Sequence, residues 1–183
     1  MGSVPLTVVF AAVSIATVTD LRSFRIHNAL TLPLLASGLV YHGLMGGPAG
    51  LSGSALGALS GIALLMLFYL MGGIGGGDVE LMAGVGAWLG MPMTVGILAV
   101  ASLAAGLYAV ILILVSGRVR ETWVNLQIIW HRVATVGRHL GSEDQVEAEV
   151  RRSDARRRLV PFAVMIMVGV VTALVISQYQ VPH

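Results

Sequence analysis

Apolar residues run in long blocks along this chain, and polar residues gather where the blocks end. A membrane-crossing helix needs about 20 mostly apolar residues, within a range of about 17 to 25. Residues 29–45, 51–71, 93–115 and 159–178 meet that length, and residues 4–19 come just short of it. A further apolar stretch, residues 79–90, is only about half a span. Turns are expected at Gly46-Gly47-Pro48 and at Gly90-Met91-Pro92-Met93. The predicted fold is all-α: a polytopic membrane protein with about six transmembrane helices, the fourth of them short. Gly53, Gly57 and Gly61 repeat every four residues on the third helix, and Gly86 and Gly90 on the fourth. Small residues so spaced let helix backbones approach closely in lipid, so these glycines are read as scaffold.

Composition supports a membrane setting. Of 183 residues, 56% are hydrophobic and 11% charged, and the mean hydropathy is +0.87. A soluble domain carries roughly 25% charged residues. Cysteine is absent, which excludes disulfides, a thiolate nucleophile and a cysteine zinc site. A pI near 9.5 suggests nucleic acid, but the positions of the charges do not. All eleven basic residues other than histidine are arginines. Arg22 and Arg25 form one window, and the other nine lie between Arg118 and Arg158. Such clustering follows the positive-inside rule and makes both windows cytoplasmic. Six segments satisfy this: the short stretch must cross for the second window to return to the cytoplasm. Both termini then lie outside. The apolar N-terminus lacks a basic lead and reads as a first span rather than a cleaved signal.

Residues 1–183 form one membrane domain, with a cytoplasmic segment at 116–158. The first part of that segment, 121–140, reads as an interfacial amphipathic helix carrying Trp123 and Trp130. The second reads as a solvated helix capped by Ser142 and Gln145, with acids first and arginines last.

Outside that segment there are only three acidic residues: Asp20, Asp78 and Glu80. The topology puts Asp20 at the end of the first helix and Asp78 at the start of the fourth, on the same face. Ionisable groups near the membrane interior are functional candidates. Each aspartate also has a plain structural reading, Asp78 as a helix N-cap and Asp20 as a loop partner of Arg22 or Arg25. Paired, two carboxylates sharing a proton can activate water and protonate a leaving amine, with no metal and no cofactor. Gly75, Gly76 and Gly77 precede Asp78. They are expected to admit an extended peptide and to permit backbone angles that other residues resist.

Gly75-Gly76-Gly77-Asp78 matches the GxGD motif of polytopic aspartic proteases. "DLRSFRIHNALTLP", from Asp20, resembles the D-x-R-x-x-x-I-P-N stretch of type IV prepilin peptidases, and "RLVPFAVMIMVG" resembles that family's proline-containing last helix. The resemblance covers most of the chain. It implies an aspartic endopeptidase of the prokaryotic inner membrane that removes prepilin leaders at the cytoplasmic face. Its partners would be the prepilin's hydrophobic N-terminal helix, the lipid bilayer and the pilus assembly machinery, with no nucleic acid. By residue matching, Asp20 and Asp78 are the catalytic pair, and Arg22 and Asn28 belong to the shell around them. His27 stands where the family has proline, and Glu80 where it often has lysine; Glu80 is kept as a site-shaping candidate. The family's longer members carry a cysteine-bearing methyltransferase domain. Its absence here suggests the short form of tad-type (Flp) pilus systems, with cleavage and no methylation. A presenilin- or signal-peptide-peptidase-like protease is the alternative within the class. A non-enzymatic transporter or assembly protein using the two acids for protons or cations is the alternative outside it.

Overall fold

The computed structural model describes residues 3–23, 26–70, 74–116 and 162–179, all helical apart from short connections. The helices are α1 (Ser3–Ser23), α2 (Asn28–Leu70), α3 (Gly76–Ser116) and α4 (Phe162–Tyr179). The arginine-rich segment expected at 116–158 lies, but for Ser116, outside the described residues, and so do its tryptophans and its capping pair. α1, α2 and α3 are each long and apolar enough to cross a membrane, and α4 contains a shorter apolar stretch, Phe162–Ile176. This is an all-helical membrane protein.

α2 and α3 are too long for one crossing. At 1.5 Å per residue, 43 residues reach roughly 65 Å, twice the hydrocarbon thickness. Each breaks at a glycine with positive φ. Gly47 has φ 57° and ψ −148°, and Gly90 has φ 74° and ψ 169°. Both angles favour glycine because a side chain would crowd the neighbouring backbone. The breaks fall inside the two turns expected from the sequence. At the first break α2 doubles back: a Cβ on Gly50 would strike the His42 carbonyl oxygen.

The first arm of α3, residues 76–89, is the centre of the unit formed by residues 1–105 and 161–183. Leu81 through Leu89 are all buried. Both arms of α2 hold this short helix. Gly38 and Leu34, from the first arm, meet Ala87 and Gly84. Gly57 and Gly61, from the second, lie against the backbone of Gly86 and Met82. A helix that stops inside an apolar environment leaves its last carbonyls without partners. Side chains of α2 supply them: Ser54 Oγ donates to the Ala87 carbonyl at 2.6 Å, and His42 Nε2 lies 2.9 Å from that of Trp88. In return Trp88 Nε1 donates to the Leu34 carbonyl at 2.9 Å, while its ring stacks on Tyr41.

One scaffold expectation needs correction. Gly57, Gly61 and Gly86 sit in backbone-to-backbone contacts, but Gly53 is exposed, and a Cβ placed there would have no neighbour within 4 Å. The four-residue repeat runs off the contact face there, because 3.6 residues per turn rotates successive positions around the helix.

α1 packs on α4. Its buried stripe is Leu6, Val9, Val13 and Ala16, at the three- and four-residue spacing of one helix face. The next position on that stripe is Asp20. α4 answers with Phe162, Ala163, Ile166 and Val170, and a Cβ on its Gly169 would meet Ile97 of α3's second arm.

Candidate active site

Asp20 lies in the last turn of α1 and Asp78 in the first turn of α3, both half-buried. The two carboxylates are close enough for Asp78 to feel the charge of Asp20. Residues 58 positions apart are thus brought together by the fold.

Each carboxylate is held by a backbone N–H. Asp78 Oδ2 accepts from the Gly75 N–H at 3.2 Å, while the Asp78 N–H donates to the Gly75 carbonyl at 3.1 Å. This is half of a capping box: the aspartate three residues on reaches back to the cap N–H, while the backbone carbonyl of Gly75, which has no side chain, accepts from the Asp78 N–H. Asp78 is therefore not the N-cap residue itself; it caps from inside the first turn, and its second oxygen remains available. The Asp20 carboxylate is hydrogen-bonded by the N–H of Ala163, in the first turn of α4. Asp20 is helical and not a loop residue. Arg22 is exposed, and two residues along a helix it does not share a face with Asp20. Arg25 lies outside the described residues.

The glycines before Asp78 work differently from the expectation. Among the described residues only Gly47 and Gly90 have positive φ, so Gly75, Gly76 and Gly77 adopt no left-handed backbone. Gly76 and Gly77 are already helical. What requires glycine at 77 is the chain's own backbone: a Cβ would lie 2.9 Å from Ile26 Cβ and 3.1 Å from the Ile26 carbonyl oxygen. The connection between α1 and α2 passes there, beside Asp78. A Cβ on Gly76 would touch the Tyr69 ring at 3.5 Å, and one on Gly75 would sit 3.4 Å from Asp78 Oδ2.

Asn28 is exposed in the first turn of α2, after His27, whose carbonyl accepts from the N–H of Leu30 at 2.8 Å. Glu80 accepts a 2.6 Å hydrogen bond from Thr31 Oγ1, and Thr31 is fully buried. The acid that replaces the family's lysine is thus tied to α2, and being two residues from Asp78 it leaves that residue's face. Among the described residues no group of three or more His, Asp or Glu side chains is placed to hold a metal ion.

Sequence reasoning did not single out Thr17, Thr31, Tyr69 or Ala163, and Ile26 entered only as the isoleucine of the matched stretch. Thr17 had one available signal, its position three residues before Asp20. Ala163 had none, because its role depends on a contact between distant parts of the chain.

The profile of the type IV leader peptidase family matches residues 7–110, more than half of the chain and including both aspartates. Similar curated proteins carry the name prepilin leader peptidase/N-methyltransferase. That of Burkholderia pseudomallei (strain 1026b) is 40% identical over 109 residues, covering 54% of this chain and 35% of the relative. That of Aeromonas salmonicida (strain A449) is 37% identical over 105 residues, covering 54% and 36%. That of Escherichia coli (strain K12) is 35% identical over 109 residues, covering 56% and 48%. The matches thus span about a third to a half of the length of these relatives. No solved structure matches the chain.

Proposed function

The chain belongs to the type IV leader peptidase family, and from that premise we infer that it is an aspartic endopeptidase that removes the leader of prepilins at the cytoplasmic face of the inner membrane. The observation that carries this reading is the convergence of Asp20 and Asp78, each held by a backbone N–H, with Asp78 within reach of the charge on Asp20. In the reading, one carboxylate takes a proton from a water molecule while the other, protonated, hydrogen-bonds the scissile carbonyl. Water attacks the carbonyl carbon and a tetrahedral intermediate forms. A proton then passes to the leaving nitrogen, the carbon–nitrogen bond breaks, and the dyad is ready again.

The topology follows the same reading. α1, the two arms of α2 and the two arms of α3 supply five crossings and α4 the sixth, with α3's first arm the short one. Both termini lie outside, and the 116–158 segment is cytoplasmic with its arginines. Gly77 and Ile26 shape the approach to Asp78. Arg22 and Asn28 flank it from the end of α1 and the start of α2, and Glu80 sets the spacing of α2 and α3. Flp-type prepilins are the substrates to try first, on the strength of the resemblance.

Co-expression with candidate prepilins, with the mature N-terminus read by mass spectrometry, tests the reading. A single defined cut that is lost in both Asp20→Asn and Asp78→Asn supports it. Cutting that survives either substitution excludes the two-carboxylate mechanism, and ion transport without cutting would support the transporter alternative.

A further inference from the structure

One residue of α4, Ala163, is held by α1 through both its backbone N–H and its backbone carbonyl. Thr17 and Asp20 are three residues apart, so they share a helix face. Thr17 Oγ1 donates to the Ala163 carbonyl at 3.2 Å, and the Ala163 N–H donates to the Asp20 carboxylate. Ala163 is fully buried, and its small side chain lets the two backbones come this close. The N–H belongs to the first turn of α4, where backbone donors have no partner within their own helix. Bonding Asp20 therefore breaks no helical hydrogen bond. It satisfies a donor that would otherwise lie buried without a partner.

We propose that the first turn of α4 positions Asp20 for the reaction: the Ala163 N–H fixes one carboxylate oxygen, and the Thr17 hydroxyl, bonded to the carbonyl of the same residue, anchors Ala163 against α1. This rests on the peptidase reading above. The chemistry needs an aspartate whose second oxygen points at water or substrate in every turnover. An aspartate side chain has two rotatable bonds. One fixed oxygen removes most of that freedom and leaves the other oxygen to react. The arrangement matches that of Asp78, whose Oδ2 is held by Gly75. Each carboxylate is thus aimed by a backbone donor at a helix N-terminus, one from its own helix and one from a helix far along the chain. Ala163 also lies beyond residues 7–110, so the family match alone does not point to it.

Three variants test the assignment. Ala163→Pro removes the N–H at a place where a helix tolerates proline. Cleavage by this variant should show kcat lower by about tenfold or more, with KM little changed, because the lost bond orients a reacting group. Thr17→Val keeps the shape but drops the anchor and should lower kcat by a smaller factor; Thr17→Ser, which retains the hydroxyl, should recover most of it. If Ala163→Pro fails to accumulate in the membrane, the Thr17 pair decides. Equal activity of the valine and serine variants, at equal protein level, would overturn the proposal.

A second readout does not depend on cleavage. With carbon-13 in the aspartate carboxyls, the infrared band that disappears in Asp20→Asn belongs to Asp20. That band should move in Ala163→Pro and in Thr17→Val. A band that stays in place in every variant overturns the proposal whether or not the chain cuts prepilins. A band that moves in a chain that cuts nothing supports the contact and counts against the peptidase reading instead.

Discussion

Alanine at Gly57 and alanine at Gly53 should act in opposite directions, although the two positions are one turn apart on α2. At Gly57 the new Cβ would collide with the Gly86 carbonyl oxygen and lie 2.8 Å from Gly90 Cα and 2.9 Å from the Gly86 carbonyl carbon. These are backbone atoms, so no side chain can swing away. Carbon atoms pack at about 3.5–4.0 Å, so the helices must part by roughly 0.7 Å or more. Overpacking of this kind costs about 1–3 kcal/mol. The same separation stretches the 2.6 Å bond from Ser54 to the Ala87 carbonyl, and such a bond contributes about 1 kcal/mol net. Together these give a loss of about 2–4 kcal/mol, or on the order of 5–15 °C in Tm for a chain of this size. Gly53 is exposed with nothing within 4 Å. Alanine there adds no clash and improves helix propensity by up to about 1 kcal/mol. Thermal unfolding of the detergent-solubilised protein, followed by tryptophan fluorescence, measures both, since Trp88 lies in the affected interface. A Gly57→Ala variant that melts with wild type would refute the packing account, as would a Gly53→Ala variant that melts as low as Gly57→Ala.

Gly77→Ala should cut activity per folded molecule by about tenfold, because the added methyl pushes Ile26 and the α1–α2 connection away from Asp78, and an ångström of misplacement is enough for such a loss; initial rates normalised to folded protein check it, and an unchanged rate would show that this contact does not shape the site. Glu80→Ala leaves the buried Thr31 hydroxyl without its partner and should cost about 1–3 kcal/mol, whereas Glu80→Gln, which still accepts, should cost less than half as much in the same melting assay. His42→Ala uncovers the Trp88 carbonyl at the end of α3's first arm and should lower stability by about 1–3 kcal/mol while prepilin cutting continues below the melting point.

Much of the helical pattern was legible because membrane helices announce themselves by length and apolarity. The breaks at Gly47 and Gly90 were legible because glycine one or two residues before proline marks a turn, and the structure puts both breaks there. The burial of residues 81–89 was not. An all-apolar helix looks the same whether lipid or protein surrounds it, so the sequence carries no sign that this half-span is the centre. Gly53 was misassigned because a four-residue repeat drifts around a helix of 3.6 residues per turn, so its first member left the contact face. At the site, the two aspartates stood out because charge is scarce in this chain. The unusual backbone angles expected at Gly77 are not there, because the chain is already helical where a glycine beside an acid suggests a loop. Its neighbour Ile26 is about fifty residues away in sequence and becomes visible only after folding. Ala163 was invisible for a stronger reason: its contribution is a backbone N–H, which every residue except proline has.

The central claim is that Asp20 and Asp78 together cut a peptide bond. The most direct test reconstitutes the purified chain in proteoliposomes with one full-length Flp-type prepilin and reads the product N-terminus by mass spectrometry, for the wild type and for Asp20→Asn and Asp78→Asn at matched folded protein. The account predicts one new N-terminus from the wild type, and at least a thousandfold less of it from each variant. A variant lacking either carboxylate that still yields that N-terminus at a rate near wild type would contradict it.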